Sequence, residues 1–277
     1  MRRLLIGLLL AGSALAQPAA TVASGGGGGG GTDPFPRVAA AYLVQVNGHS
    51  APLWAKQATR RLPPASLTKL MTALLVLEAG QPQAVVRISA TAARETGTRL
   101  ALRVGERFRV VDLLAATLLG SANDACHALA EHVAGSQTRF VDRMNHRAAE
   151  FGMRDTHFAN ACGHDAADHY STAQDLAVLA NAALKQPVLS ELAARAHMDI
   201  STLDGRRHFK IENHNALVGR YPGVVGLKSG YTPEAGKCLI ALAQRGKTRI
   251  LLILLNAPKR WWDATDILDL AFAHEDG

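Results

Sequence analysis

Runs of apolar residues near both ends of the chain have the pattern of β-strands. Residues 40–46 and 51–55 form two such runs on either side of Asn47-Gly48, and this arrangement predicts a β-hairpin with a tight turn. Three further strands are predicted near the other end, at residues 224–227, 238–243 and 249–255.

The residues between these runs have mostly helical patterns. Dense apolar residues and strong helix formers predict a largely buried helix that starts at about Ser66 and ends before Gly80. Ser171 and Gln174 have the spacing of a capping box, which predicts another helix. The remaining predicted helices lie at residues 111–119, 123–134, 136–151 and about 261–273. Strands, a helical insertion, strands and a closing helix together indicate a mixed α/β domain.

The first residues have the composition of an export signal. A positive start, an apolar run at residues 4–10 and a small-x-small ending predict a signal peptide over residues 1–16, with the twin-arginine route left as an alternative to Sec. The run is shorter than the roughly 20 apolar residues of a membrane span. Residues 17–36, rich in glycine and proline, predict a flexible linker, and residues 37–277 predict the folded domain.

Composition excludes several classes of protein. Among 277 residues, 48% are hydrophobic and 19% charged, which excludes a disordered, collagen-like or coiled-coil chain. The net charge of +7 is not concentrated in a basic block, so no nucleic-acid-binding module is expected.

Cys126, Cys162 and Cys238 allow one disulfide with one free thiol, or three buried thiols. We favour three buried thiols because a chain of this size can fold stably without a disulfide.

The first candidate for chemistry is Ser66-x-x-Lys69 near a helix start. A spacing of three places both side chains on one helix face. A serine hydroxyl becomes a good nucleophile when a base removes its proton, and a lysine is a base only when its pKa falls well below the ordinary value of about 10.4. Alone, the pair is also an ordinary serine-capped helix start.

Two more polar triplets follow. Ser121-Ala122-Asn123 separates two predicted helices, and Lys228-Ser229-Gly230 follows an apolar strand. Each has a structural explanation by itself, since serine and asparagine cap helices well. A glycine on a strand also allows the backbone of a ligand to come close.

In this order the three motifs resemble those of the low-molecular-mass penicillin-binding serine D-Ala-D-Ala carboxypeptidases. The similarity covers about residues 37–275, including residues 64–73, 121–130, 170–176 and 226–236. It implies a β-lactamase/DD-peptidase-like α/β (α+β) fold. In that fold an antiparallel sheet from both chain ends is flanked by helices, with a helical subdomain inserted and the active-site cleft at the junction.

The resemblance also implies catalytic roles. Ser66 would attack the carbonyl of the D-Ala-D-Ala bond and form an acyl-enzyme, and Lys69 would take its proton. Ser121 would relay a proton to the leaving amine, and Asn123 would hold the acyl side of the substrate.

The third motif is expected to bind the substrate. Lys228 and Ser229 would bind the terminal carboxylate, and Gly230 would let the peptide lie against the strand. The backbone N–H groups of Ser66 and Tyr231 would hold the oxyanion.

The implied partners are peptidoglycan stem peptides, with β-lactams as inhibitors. No cofactor, metal or nucleic acid is implied, and the oligomeric state stays open.

Two positions depart from the family: Ser229 replaces the usual Thr, and His164 replaces the more frequent Leu. The chain ends soon after the catalytic region, without the C-terminal domain and amphipathic helix of many relatives. We therefore expect a periplasmic protein without a stable membrane anchor.

Three alternatives remain open. The same motifs would serve a D,D-endopeptidase that cuts cross-links, or a catalytically inactive wall-binding protein. A zinc site is the third alternative, although the spacing is unlike a known zinc motif; its candidate ligands are His157, Cys162, His164, Asp165, Asp168 and His169. Arg260 would reach the cleft only if the last helix begins beside the third motif.

Overall fold

A five-stranded antiparallel sheet forms the centre of residues 33–277, the part of the chain that the computed structural model describes. The predicted signal peptide and residues 17–32 of the predicted linker lie outside it. In chain order the strands are β1 (Ala41–Val46), β2 (Trp54–Lys56), β3 (Val85–Arg87), β4 (Arg107–Arg109), β5 (His197–Ser201), β6 (His208–Glu212), β7 (Val224–Thr232), β8 (Gly236–Arg245) and β9 (Thr248–Leu255).

The central sheet joins the two ends of the chain. Its strand order is β2-β1-β9-β8-β7, and β1 pairs with β9 so that Tyr42 lies opposite Leu254. The predicted pairing of the first two strands, the three later strands and the α/β fold class are confirmed. The tight hairpin connection is wrong: a turn does occur at Asn47-Gly48, but the strands pair only as far as Val44 and Trp54, so residues 45–53 connect them. Two additional two-stranded sheets, β3-β4 and β5-β6, are not among the predicted elements. Strands β3 and β4 have only three residues each, and β5 and β6 alternate polar and apolar residues over only five.

Strand β9 is apolar on both faces because both faces of the sheet are covered. Its side chains alternate between the two sides, as in any β-strand. One set packs in the core shared with the helical part of the molecule: Leu251, Ile253 and Leu255. The other set packs in the core formed with the last helix: Ile250, Leu252 and Leu254.

The helices cover both faces of this sheet. They are α1 (Lys69–Glu78), α2 (Ala90–Ala93), α3 (Val110–Leu118), α4 (Asn123–Ala134), α5 (Gln137–Glu150), α6 (Ala173–Ala183), α7 (Pro187–Ala193) and α8 (Arg260–Asp276). The predicted helix start at Ser66 lies in a 3-10 turn, Ala65–Thr68, that leads into α1. The capping box predicted for α6 is replaced by Thr172, whose hydroxyl accepts a hydrogen bond from the N–H of Asp175.

The prediction of three buried thiols is wrong for two of them. Cys126 of α4 and Cys162, in the loop between α5 and α6, form a disulfide with their Cα atoms 6.0 Å apart. Cys238 of β8 is a buried free thiol. The sequence separation of 36 residues carries no signal of this pairing, because it depends on how α4 and the loop pack.

Replacing both Cys126 and Cys162 by alanine should lower the free energy of unfolding by about 4 kcal/mol, the chain-entropy value for a closed loop of this length. Urea unfolding of the purified protein measures the loss. Cys238→Ala, which removes a buried sulfur without a cross-link, is the control. A double variant no less stable than this control would contradict the role assigned to the disulfide.

Candidate active site

The turn before α1 presents Ser66 beside Lys69. Ser66 is half-buried, whereas Lys69 is fully buried, and Lys69 Nζ lies 2.9 Å from Ser66 Oγ. Ala65, just before them, has a φ of 49°, a conformation that residues other than glycine rarely adopt. Gly163 packs so closely on this residue that a Cβ at Gly163 would overlap the carbonyl oxygen of Ala65.

Three oxygen atoms surround the Lys69 amine. In addition to Ser66 Oγ, Nζ lies 2.8 Å from Asn123 Oδ1 and 2.5 Å from the carbonyl oxygen of Cys162. The amide and carbonyl oxygens can only accept hydrogen bonds, whereas the hydroxyl can also donate one. A neutral lysine has two N–H donors and one lone pair. It therefore satisfies all three partners when the Ser66 hydroxyl donates to its lone pair.

The surroundings of Lys69 favour that neutral form. Burial lowers the pKa of Lys69 well below its ordinary value, and the nearby charge of Lys228 lowers it further. The carboxylate of Glu95 acts in the opposite direction. The amine is thus able to take the proton of Ser66 as a general base.

The second motif is joined to the first through Asn123, the first residue of α4. Asn123 Nδ2 donates to the carbonyl oxygen of Thr96 at 2.7 Å, which orients Oδ1 toward Lys69, and the Asn123 N–H donates to the carbonyl oxygen of Thr98. Ser121 is buried in the connection between α3 and α4 and has a φ of 55°. Unusual backbone conformations of this kind cluster at functional sites.

The third motif lies on β7, at the edge of the central sheet. Lys228 is buried and its Nζ donates to the carbonyl oxygen of Ser229 at 2.8 Å. A Cβ at Gly230 would lie 3.0 Å from the backbone nitrogen of Ser66, so the glycine allows the strand to approach the nucleophile closely. The side chain of Tyr231 is exposed. All three motifs therefore meet around Ser66 and Lys69.

Arg260 adds a third cationic side chain. Helix α8 begins beside β7, and Arg260 Nη1 donates to the carbonyl oxygens of Gly230 and Cys238. Its Nε is buried without a protein partner among the described residues. Burial, followed by the charge of Arg260, lowers the pKa of Lys228 to about 7. These charges form a positive pocket that suits a carboxylate.

Four of the six residues considered as zinc ligands have side-chain partners outside that set. His164 faces Glu95, Asp165 accepts a hydrogen bond from Thr232, and Cys162 is in the disulfide. Within residues 33–277, no group of three or more His, Cys, Asp or Glu residues is placed to hold a metal ion.

One member of that set, the buried His169, supports the turn that carries Ser66. The N–H of Ala159 donates to His169 Nδ1, so His169 Nε2 carries the hydrogen and donates to Thr68 Oγ1 at 2.8 Å. Thr68 in turn donates to the carbonyl oxygen of Ala65. Burial lowers the pKa of His169 to about 4, which keeps the ring neutral. Sequence spacing gave no signal of this role.

Comparison with known proteins agrees with the motifs and the fold. The family model described as D-alanyl-D-alanine carboxypeptidase, peptidase family S11, matches residues 32–259. D-alanyl-D-alanine carboxypeptidase DacF of Bacillus subtilis is 38% identical over 229 residues. The Streptomyces K15 DD-transpeptidase structure has a TM-score of 0.80 and 30% identity. Penicillin-binding protein D2 of Listeria monocytogenes, solved in its ampicillin-bound form, has a TM-score of 0.75 and 32% identity.

The extent of the match differs between these proteins. The alignment with DacF covers 80% of this chain but only 59% of DacF. The match to the Streptomyces K15 structure covers 85% of this chain and 97% of the K15 chain. The match to penicillin-binding protein D2 covers 84% of this chain and 97% of the D2 chain. The predicted resemblance and the DD-peptidase-like fold are confirmed.

The electrostatic coupling of Lys228 to Arg260 is directly testable. Arg260→Met should raise the pKa of Lys228 above about 7, because it removes the positive charge that disfavours the ammonium form. NMR titration of protein with isotopically labelled lysine measures this pKa, with Lys228→Met to assign the resonance. Lys237→Met, which removes an exposed charge from β8, is the control. An unchanged or lower pKa of Lys228 in Arg260→Met would contradict the coupling.

Proposed function

The chain belongs to the D-alanyl-D-alanine carboxypeptidase family of serine peptidases, family S11, and from that premise we propose that it removes the terminal D-alanine from peptidoglycan stem pentapeptides. The reaction proceeds through an acyl-enzyme on Ser66. The observation that carries the proposal is the 2.9 Å contact between Ser66 Oγ and the buried amine of Lys69. That amine also has two fixed acceptors for its own N–H groups.

Acylation begins when Ser66 Oγ attacks the carbonyl carbon of the penultimate D-alanine while its proton passes to Lys69 Nζ. The backbone N–H groups of Ser66 and Tyr231 hold the oxyanion, and each such donor typically contributes about 2.7–4 kcal/mol. When the intermediate collapses, the C–N bond breaks and Ser121 relays the proton held by Lys69 to the leaving amine. Water then attacks the ester and gives a proton to Lys69, which returns it to Ser66 Oγ as the C–O bond breaks and the shortened peptide leaves.

The third motif binds the end of the substrate. The ammonium of Lys228 and the hydroxyl of Ser229 bind the terminal carboxylate, and Arg260 strengthens the positive potential at that place. Asn123 holds the acyl side. Binding of a carboxylate favours the charged form of Lys228, so the site gains its full positive charge when substrate arrives.

The outer edge of β7 supports an extended binding mode. Among the described residues β7 pairs only with β8, so its other edge is available to the backbone of a peptide. An extended peptide beside a free strand edge gains main-chain hydrogen bonds. Gly230 keeps this edge close to Ser66.

β-Lactams are the proposed inhibitors. Opening of the ring by Ser66 breaks the amide C–N bond, but the amine stays attached to the acyl group and does not leave. The carboxylate of penicillin would occupy the same positive pocket as the substrate carboxylate. The likeness to a structure solved with ampicillin supports this assignment.

The family is one of cell-wall peptidases, and we place this member in the periplasm. The predicted signal peptide over residues 1–16 supports that location, and residues 37–277 are proposed as the catalytic domain. Over residues 33–277, no helix has the length and apolar character needed to span a membrane.

The first test is acylation by benzylpenicillin. Intact mass of the purified protein should increase by one penicillin, and Ser66→Ala should show no adduct because it lacks the attacking oxygen. The wild-type protein should also release free D-alanine from a stem pentapeptide, which the variant should not. Absence of both the adduct and D-alanine release in the wild type would contradict the proposal.

The same preparation separates the carboxypeptidase from a D,D-endopeptidase. Free D-alanine from the pentapeptide supports the proposed activity, whereas conversion of cross-linked dimer to monomer without D-alanine release supports the endopeptidase. An adduct without turnover of either substrate would indicate a wall-binding protein that retains the acylation step.

A further inference from the structure

Glu95, in the turn that follows α2, joins three separate segments beside the cleft. Its Oε1 lies 2.5 Å from His127 Nδ1 on α4, and its Oε2 lies 2.9 Å from His164 Nε2 in the loop between α5 and α6. The side chain of Glu95 is only 14% exposed, against 5% for His127 and 36% for His164. None of these three residues belongs to the three motifs.

The charges in this cluster support one another. His127 has carboxylates on both sides, because its Nε2 lies 3.3 Å from Glu131 Oε1. Glu131 is held in turn by the hydroxyl of Ser89. Burial lowers the pKa of His127, but the hydrogen bond to Glu95 and the two carboxylates raise it overall. Burial likewise disfavours ionised Glu95, yet the hydrogen bonds to both histidines lower its pKa to about 2.

Two paths lead from Glu95 to the amine of Lys69. Along the first, Thr96, the next residue, accepts the hydrogen bond that orients Asn123, whose Oδ1 accepts from Lys69. Along the second, Glu95 holds His164, two residues beyond Cys162, whose carbonyl oxygen is the other acceptor for Lys69. Both fixed acceptors of the amine are therefore supplied by segments that Glu95 ties together.

We propose that Glu95 is a positioning residue of the reaction, which holds the acceptors of Lys69 in place through His127 and His164. The inference rests on the proposed function only for the identity of the reaction. It also gives His164 a specific role in this chain.

The charge of Glu95 allows an experiment to distinguish the positioning role from a purely structural one. Its carboxylate raises the pKa of Lys69, against burial and the charge of Lys228. The other groups that face Glu95 are His127, His164 and, through its backbone oxygen, Arg99. Loss of the charge should therefore make Lys69 easier to deprotonate, whereas loss of positioning should slow proton transfer at every pH.

The test is Glu95→Gln in the full chain, with the rate of acylation by benzylpenicillin measured across pH. We expect the plateau rate to fall roughly 10- to 100-fold, the scale of a small misplacement at a reacting centre. We also expect the acid limb to move to lower pH. Glu106→Gln is the matched control, because Glu106 is also 14% exposed and paired, with Arg207, but lies outside the site. It should retain the wild-type rate and profile.

A second variant covers the case in which Glu95→Gln folds poorly. His164→Leu removes a partly exposed member of the cluster and should lower the plateau by a smaller factor. In the double variant the two losses should be far from multiplicative, because both changes remove one interaction. Rates are divided by the folded fraction, measured by circular dichroism.

The outcomes separate this inference from the proposed function. A wild-type protein that is not acylated would overturn the function itself. A wild-type protein that is acylated, together with Glu95→Gln and His164→Leu variants that keep its plateau and acid limb, would overturn only the positioning role. Losses that disappear after correction for the folded fraction, or that multiply in the double variant, would overturn it as well.

Discussion

The arrangement of the active site depends on the burial of the Lys69 amine, which requires hydrogen-bond partners from several segments. A buried polar group without partners is costly, and a buried charge costs more, so Lys69 needs hydrogen bonds and loses its proton easily. Asn123, Cys162 and Ser66 supply one oxygen each, from α4, a loop and the turn before α1. Because two of these oxygens can only accept, the hydroxyl is left as the donor, and this is the arrangement that an activated serine needs.

The positive charges of Lys228 and Arg260 repel each other and the charged form of Lys69, but they also attract a carboxylate. Lys228 and Arg260 disfavour protonation of their cationic neighbours, and both are held close to Gly230 on one strand edge. Without an anion these groups repel one another, whereas a bound carboxylate would relieve that repulsion. The same arrangement therefore favours a neutral base at Lys69. It also favours binding of a substrate carboxylate at Lys228 and Arg260. The carboxylate of Glu95 raises the pKa of Lys69 and so limits how far this effect goes.

The parts of the molecule that sequence could predict are those with a local signal. Dense apolar residues and strong helix formers predicted the first long helix, and continuous apolar runs predicted the buried strands such as β9. The spacing of Ser66 and Lys69 predicted that their side chains share one face. Strands β3 and β4 have only three residues each, too few for a periodic pattern. Strands β5 and β6 do alternate polar and apolar residues over five positions, a strand signal that the prediction from sequence missed. The partners of Glu95 are 32 and 69 residues away in the chain, and no local pattern records such a contact.

The disulfide and Glu95 both connect α4 to the loop between α5 and α6, the first through a covalent bond and the second through hydrogen bonds and charge. Cys126 and His127 are adjacent on α4, and Cys162 and His164 lie in the same loop, so the covalent link and the ionic cluster run side by side. The disulfide limits the distance between the two backbones but leaves the turn after α2 free. Glu95 adds that turn, and with it the carbonyl oxygen that orients Asn123. A reduced protein that keeps Glu95 thus retains a link between the segments, whereas an oxidised protein without Glu95 loses the anchor of the turn that orients Asn123 toward Lys69.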